Sequence, residues 1–211
     1  MKVLLVNGSP HREGCTYTAL NECAKTFLGA GIEVEWYWIG VNPVAGCSAC
    51  MRCSGTGKCQ MDDSSGKVNE LIDAITESDA VIIGSPVYFA GMNGHLKAIM
   101  DRAFYAGNAA FAYKPAAGIA SARRAGTTLT IDQINKYFQI TGMPLASSTY
   151  WPMIHGTKAE EAQRDAEGLQ TMRNLAKQMI WMLKRFAAAT KAGIAPVELT
   201  KEARTSFMDA K

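Results

Sequence analysis

Four of the six cysteines lie in one short stretch, at spacings that suit metal binding or redox chemistry. Cys47, Cys50, Cys53 and Cys59 follow the pattern C-x2-C-x2-C-x5-C. Three cysteines at such intervals can surround one corner of an iron–sulfur cubane, and the fourth arrives after a flexible Ser-Gly-Thr-Gly stretch. Structural zinc more often uses two C-x2-C pairs separated by a longer segment. If all four cysteines bind metal, the spacing favours a [4Fe–4S] cluster; a redox-active disulfide and free thiols stay open as alternatives.

A loop rich in small and hydroxyl-bearing residues, GSPHREGCTYT, follows the first apolar run of the chain. The N–H groups at the start of a helix bind anions, and Ser9, Thr16 and Thr18 add hydroxyl donors. His11 or Arg12 could add positive charge. Because the loop lacks G-x-G-x-x-G and the chain lacks G-x-x-x-x-G-K-[ST], a dinucleotide fold and a P-loop NTPase are disfavoured. The pattern indicates a permanently bound phosphate monoester such as that of FMN; a simple capped strand-to-helix turn is the alternative.

Two further loops carry residues that could contact a flavin. The second loop, GSPVYFAGMNG, presents Val87, Tyr88 and Phe89, which could supply backbone polar groups and an aromatic wall. Alternatively, the two aromatic residues cap the sheet. In the third loop, residues 121–127, Arg123 and Arg124 could stabilise negative charge on a reduced flavin or bind a pyrophosphate, or they form an ordinary surface pair.

The elements that must position these loops alternate between strands and helices. Apolar runs predict strands at residues 2–6, 80–84 and 116–120, and the alternation of charged and large residues predicts another at 33–39. Amphipathic segments predict helices at 16–28, 68–76, 96–104, 129–140 and 159–188. This alternation predicts a flavodoxin-like three-layer α/β sandwich. Its five-stranded parallel sheet has the order 2-1-3-4-5, with the cysteine-rich loop after strand 2. Ligands of such sheets bind at the carboxyl ends of the strands, where all three loops converge.

Composition excludes several classes of protein. Of the 211 residues, 48% are hydrophobic and 19% are charged, which supports a sizeable core and excludes global disorder. The net charge of +3 is scattered along the chain, so we expect neither nucleic acid nor a membrane surface as a partner. The apolar run at residues 3–6 is too short for a secretory signal, and we expect a cytoplasmic protein.

The first two loops together resemble those of the flavodoxin-like NAD(P)H-dependent FMN reductases. The motifs are GSPHREG-x-T and SPVYFAGMNGHLKAIMDR, and STYWPMIHG at residues 148–156 also resembles the family, placed after the last strand. The cysteine cluster is similar to that of the iron–sulfur flavoprotein branch. The resemblance implies an FMN phosphate bound by the first loop, ring contacts from the second and a further wall from the third. The implied FMN contacts are Ser9, His11, Cys15, Thr16, Tyr17, Thr18, Pro86, Val87, Tyr88, Phe89, Ser121, Arg123, Arg124 and Gly126.

Taken together, the sequence predicts an FMN-dependent oxidoreductase. Electrons would move from NAD(P)H through bound FMN, with a [4Fe–4S] cluster on the four cysteines, to a small-molecule or protein acceptor. No catalytic side chain is predicted, because the flavin carries the chemistry. A non-enzymatic electron carrier and a thiol-based redox sensor are the alternatives. We expect an FMN-binding domain over residues 1–190, a C-terminal tail or arm over 191–211, and a homodimer or homotetramer that uses residues 179–186.

Overall fold

Strands and helices alternate along the chain from its second residue to residue 191. The structure is a computed structural model that describes residues 1–61, 64–198, 200, 202, 203 and 205. The strands are β1 (Lys2–Asn7), β2 (Glu33–Trp38), β3 (Ala80–Tyr88), β4 (Gly91–Met92), β5 (Ala116–Ala122) and β6 (Met153–His155). The helices are α1 (Cys15–Gly29), α2 (Lys67–Glu77), α3 (Gly94–Gly107), α4 (Thr127–Ile140), α5 (Ala159–Ala162) and α6 (Ala166–Lys191), with a 3-10 turn at Asn108–Ala110.

Five parallel strands form the sheet in the order β2-β1-β3-β5-β6, and the short β4 pairs antiparallel with β3. Counted without β4, this is the order 2-1-3-4-5, so the predicted flavodoxin-like fold is confirmed. Asn7 at the end of β1 pairs with Trp38 on one side and with Gly84 on the other. The loops that follow β1, β2 and β3 therefore leave the sheet at one edge.

Helices cover both faces of the sheet, and the alternation of side chains along β1 shows how. Val3 and Leu5 pack with α1 and α6, whereas Leu4 and Val6 pack with α2, α3 and α4. All four side chains are fully buried. A strand buried on both faces needs the continuous apolar run that the sequence has here.

Two elements differ from the sequence prediction. The helix predicted at residues 159–188 is divided into α5 and α6, because Asp165 caps the second helix by accepting a hydrogen bond from the Gly168 N–H (2.9 Å). The segment at 148–156, predicted to follow the last strand, itself contains the fifth parallel strand, β6. The tail predicted at 191–211 lies partly outside the described residues, and its boundary stays a prediction. Among the described residues, no helix has both the length and the apolar character needed to span a membrane.

Candidate functional site

The loop between β1 and α1, residues 8–14, is held in shape by the buried side chain of Asn7. Its Oδ1 accepts a hydrogen bond from the Ser9 N–H (3.1 Å), and its Nδ2 donates to the Arg12 carbonyl (2.9 Å). The Ser9 hydroxyl accepts from the His11 N–H (3.1 Å). Trp38, at the end of β2, donates from Nε1 to the Ser9 carbonyl (2.7 Å). Four hydrogen bonds thus fix this phosphate loop before any ligand binds.

Helix α1 begins with its amide groups open towards the loop. Its N-cap residue, Gly14, provides no side-chain cap, and the first turn holds no acidic residue. The N–H groups of the first turn have no acceptor within the helix, and the helix dipole favours an anion there. This end of α1 has the donor set that a phosphate monoester requires.

The predicted phosphate ligands of α1 have different partners. The hydroxyls of Thr16 and Ser121 share a buried hydrogen bond (2.8 Å) that joins α1 to β5. Thr18 donates its hydroxyl to the Gly14 carbonyl (3.2 Å), so that hydroxyl is engaged within the helix. The Cys15 thiol donates to the Gly156 carbonyl (3.4 Å), and burial raises the pKa of this thiol.

A cavity of about 620 Å³ opens at the carboxyl edge of the sheet, beside the phosphate loop. This volume lies within the range of small-molecule sites. Eight of the predicted FMN contacts line it: Ser9, His11, Cys15, Thr16, Pro86, Val87, Ser121 and Arg123. The others do not: Tyr17, Thr18, Tyr88, Phe89, Arg124 and Gly126.

Beyond the STYWPMIHG motif, which ends at Gly156, the lining also includes residues 157–160, for which the sequence predicts no role. Residues 156–160 form one wall, with Lys158 and Glu160 among them. The lining holds three basic side chains, Arg12, Arg123 and Lys158, and two acidic ones, Glu13 and Glu160, so a small excess of positive charge favours an anionic ligand. The segment has no motif of its own, and only its position after β6 marks it.

The predicted aromatic wall forms the tip of the β3–β4 hairpin. Tyr88 is half exposed and Phe89 is fully exposed. Phe89 and Ala90 both have positive φ angles, 49° and 59°. Backbone strain of this kind persists where the surroundings impose it, and it concentrates at ligand sites. The tip stands at the rim of the cavity, next to Pro86 and Val87, rather than inside it.

His155 connects the third loop to the start of α6. Its Nε2 lies 3.1 Å from the Arg124 carbonyl, and its backbone N–H donates to Asp165 (2.8 Å). Tyr17, one of the FMN contacts implied by the resemblance, packs its ring against Trp36 on β2 at 4.9 Å. Neither residue lines the cavity.

Taken as a whole, the cavity fits FMN. Open helix amides and the Ser9 hydroxyl suit the phosphate, and the walls made by residues 86–87 and 121–123 suit a planar ring. None of the hydrogen bonds within the phosphate loop uses the first-turn amides of α1. The first-turn amides of α1 therefore remain available to bind a phosphate.

The four cysteines predicted to bind metal line a second, small cavity in the loop of residues 39–66, called here the cysteine loop. Cys47 and Cys50 are exposed, Cys53 is half-buried and Cys59 is buried. In the part of the chain that the structure describes, no three His, Cys, Asp or Glu side chains are close enough to hold a metal ion. The four thiols thus share one cavity without closing a coordination sphere.

Charge at the cysteine loop suits thiolate ligands. The pKa of Cys50 is lowered, first by a hydrogen bond from the Arg52 backbone N–H and then by the Arg52 guanidinium. Arg102, on α3, donates from Nε to the Cys59 sulfur (3.3 Å). Four cysteines around one cavity with two nearby cations fit an iron–sulfur cluster in ligand number, type and charge.

Comparison with known proteins shows the family and the fold. Residues 1–158 match the family described as NADPH-dependent FMN reductase. An iron-sulfur flavoprotein of Methanocaldococcus jannaschii is 33% identical over 196 residues, which cover 87% of this chain and 98% of that protein. Among solved structures, FerB, a flavoenzyme NAD(P)H:(acceptor) oxidoreductase from Paracoccus denitrificans, has a TM-score of 0.60 at 18% identity and covers 87% of this chain and 97% of its own. A flavodoxin from the domain Archaea has a TM-score of 0.59 at 15% identity, covering 87% and 99%.

Proposed function

The chain belongs to the NADPH-dependent FMN reductase family and is an FMN-dependent flavin oxidoreductase, and on this premise we propose that it moves electrons from NAD(P)H to an acceptor with the help of a [4Fe–4S] cluster. The observation that carries the proposal is the joint arrangement at one sheet edge. The open amino end of α1 faces a basic cavity, and the cysteine loop leaves the neighbouring strand β2. Bound FMN supplies the capacity to accept a hydride and to release electrons singly or in pairs.

The side chains of the cavity bind and orient in this proposal. The phosphate loop and the amides of α1 hold the phosphate, while Pro86, Val87 and Ser121 flank the ring. Arg123 stabilises negative charge that develops on the reduced ring. Tyr88 and Phe89, at the exposed hairpin tip, do not line the cavity, and the proposal places the nicotinamide, which must enter and leave, on that side.

Cys47, Cys50, Cys53 and Cys59 would hold the cluster. Two of these cysteines are exposed, so a cluster here lies at the surface, where a protein partner can reach it. That exposure favours a second candidate function, a carrier that passes electrons between proteins without oxidising NAD(P)H itself. The two functions differ in whether NADH or NADPH is consumed.

We further propose assembly into a homodimer or homotetramer in the cytoplasm. Trp181 and Phe186 on α6 are exposed aromatic side chains, 52% and 41% accessible, and suit a subunit contact. Met179 and Leu183, in the same predicted segment, are buried in the core and belong to the fold instead.

The test is an anaerobic ultraviolet–visible spectrum of freshly purified protein, combined with iron and acid-labile sulfide analysis and an assay of NADH and NADPH oxidation. The proposal expects flavin bands, about four irons per chain and pyridine nucleotide oxidation with an added acceptor. Flavin and iron without oxidation of either nucleotide would favour the carrier. Flavin without iron after anaerobic reconstitution would remove the cluster.

A pair of variants in the cysteine loop sharpens the test. We expect Cys50→Ser to lose iron and to retain FMN, because the flavin cavity does not use this loop. Ser54→Ala, in the same loop and also exposed, is the matched control and should lose neither cofactor. Equal iron content in both variants would exclude Cys50 as a ligand.

A further inference from the structure

Arg102, on α3, is the largest fully buried side chain of the described residues. Its guanidinium donates three hydrogen bonds: Nε to the Cys59 sulfur (3.3 Å), Nη1 to the Ala45 carbonyl (3.2 Å) and Nη2 to the Met61 carbonyl (3.1 Å). All three acceptors belong to the cysteine loop, on both sides of the four cysteines. One buried side chain therefore ties the two ends of this loop to a core helix.

Asn69, in the first turn of α2, holds the same cysteine from another direction. Its Oδ1 accepts from the Cys59 N–H (2.9 Å), and its Nδ2 donates to the Cys59 carbonyl (3.1 Å). The backbone of Cys59 is thus fixed by α2 and its sulfur by α3. No other cysteine of the described loop has contacts of this kind to both helices.

The four cysteines consequently differ in how well they are positioned. Cys59 is 9% exposed and packs within the core cluster, whereas Cys47 and Cys50 are exposed. Ala49 and Met51, on either side of Cys50, have positive φ angles of 52° and 61°, so the backbone there is strained. A ligand already fixed in its bound position loses less conformational freedom on binding than a strained, exposed one.

The position of the Arg102 charge has a redox consequence. A buried cation 3.3 Å from a cysteine sulfur acts in a medium of low effective dielectric, where its influence is greater than at the surface. Reduction adds one negative charge to a cluster, and a nearby cation favours that state. Charge and hydrogen bonds to the sulfurs are among the features that set cluster potentials.

We propose that Arg102 and Asn69 are positioning residues that fix Cys59 as the preset ligand of the cysteine loop, and that the Arg102 charge raises the reduction potential of the cluster. This inference rests on the proposed cluster. Two side chains outside the cysteine motif thus determine how firmly the cluster is retained, and one of them, Arg102, also sets its reduction potential.

The experiment compares the full-length wild type with Arg102→Lys, Arg102→Gln and Asn69→Ala after anaerobic reconstitution. Lys97→Gln is the matched control, since Lys97 is an exposed cation on the same helix. The readouts are iron and sulfide per chain, iron retention against a chelator, FMN per chain and the midpoint potential of the cluster.

We expect all four variants to bind FMN, because neither Arg102 nor Asn69 lines the flavin cavity. Arg102→Gln should retain iron about 10- to 100-fold less well, the usual effect of losing a partner behind a metal ligand, and should have a more negative potential. Arg102→Lys keeps the charge but loses the planar fork, so retention should fall while the potential stays near that of the wild type. Asn69→Ala should lower retention alone.

Wild-type retention and potential in Arg102→Gln would overturn the inference, as would the same losses in Lys97→Gln. Loss of FMN from Arg102→Gln would show that this variant fails to fold. In that case, wild-type iron retention in both Arg102→Lys and Asn69→Ala would overturn the inference. A wild-type protein that takes up no iron contradicts the proposed cluster itself, and the inference with it. The wild-type arm therefore separates the two failures.

Discussion

Replacing Asn7 by alanine tests whether the phosphate loop is organised before FMN binds. The substitution removes the acceptor of the Ser9 N–H and the donor to the Arg12 carbonyl, both held at hydrogen-bond distance by a side chain that is 2% exposed. Each lost bond costs about 1 kcal/mol net, so the apoprotein should lose about 2 kcal/mol of unfolding free energy. If FMN must then order the loop on binding, the same cost of about 2 kcal/mol raises its dissociation constant about 30-fold.

Denaturant unfolding of the apoprotein and titration of apoprotein with FMN, followed by flavin fluorescence, measure the two effects. Asn135→Ala is the control, because Asn135 also holds a backbone group, the Gly118 N–H (3.0 Å), but away from the cavity. It should lower stability without weakening FMN binding. Unchanged FMN affinity in Asn7→Ala, or equal weakening in both variants, would refute the reasoning.

Three further predictions concern residues of α1 and of the third loop. Glu22→Gln should cost about 1 kcal/mol of stability at pH 7, a figure limited by solvent screening of the partly exposed Arg173. Burial raises the pKa of Glu22, but the hydrogen bonds and charges of Arg173 (2.6 Å) and Lys25 together outweigh burial and keep the pKa below its ordinary value. The wild-type advantage should therefore vanish in unfolding experiments as the pH falls through the folded-state pKa, and a constant difference would contradict this origin. Because burial raises the pKa of Cys15, alkylation of this thiol at pH 8, followed by peptide mass mapping, should be slower than that of an ordinary thiol. Bound FMN should slow the alkylation further, since Cys15 lines the cavity. No protection by FMN would place Cys15 outside the site. Gly126→Ala should lower the free energy of unfolding by about 2 kcal/mol and weaken FMN binding, because φ at Gly126 is 94° and the added Cβ would lie 2.9 Å from the Ala90 Cα. An unchanged melting temperature and FMN affinity would show that the third loop moves freely.

Local sequence pattern predicts much of the fold. The apolar run of β1 and the hydroxyl-rich loop after it are both local, so their positions and their meeting at one sheet edge follow from the sequence. The short strand β6 does not, since only Met153–His155 pairs with β5 and three residues carry too little periodicity to be recognised.

The roles of Arg102 and Thr18 could not be predicted either. The acceptors of Arg102 lie 41 to 57 residues away in the chain, and they are fixed only by tertiary structure. The Thr18 hydroxyl was predicted to face a phosphate, but in a helix it can reach the carbonyl four residues earlier, and it does. Which of two partners a hydroxyl takes depends on packing that the sequence pattern does not encode.

The division of the core into two layers makes the chain modular. Cys59 and the helices that hold it pack on one face of the sheet, whereas α1 and α6 pack on the other. The cysteine loop and the first helix after the phosphate loop are therefore anchored in different halves of the core. On the proposed roles of Arg102 and Asn69, a transplant of this loop into another flavodoxin-like scaffold should carry an arginine and an asparagine at the corresponding places of α3 and α2, as well as the four cysteines.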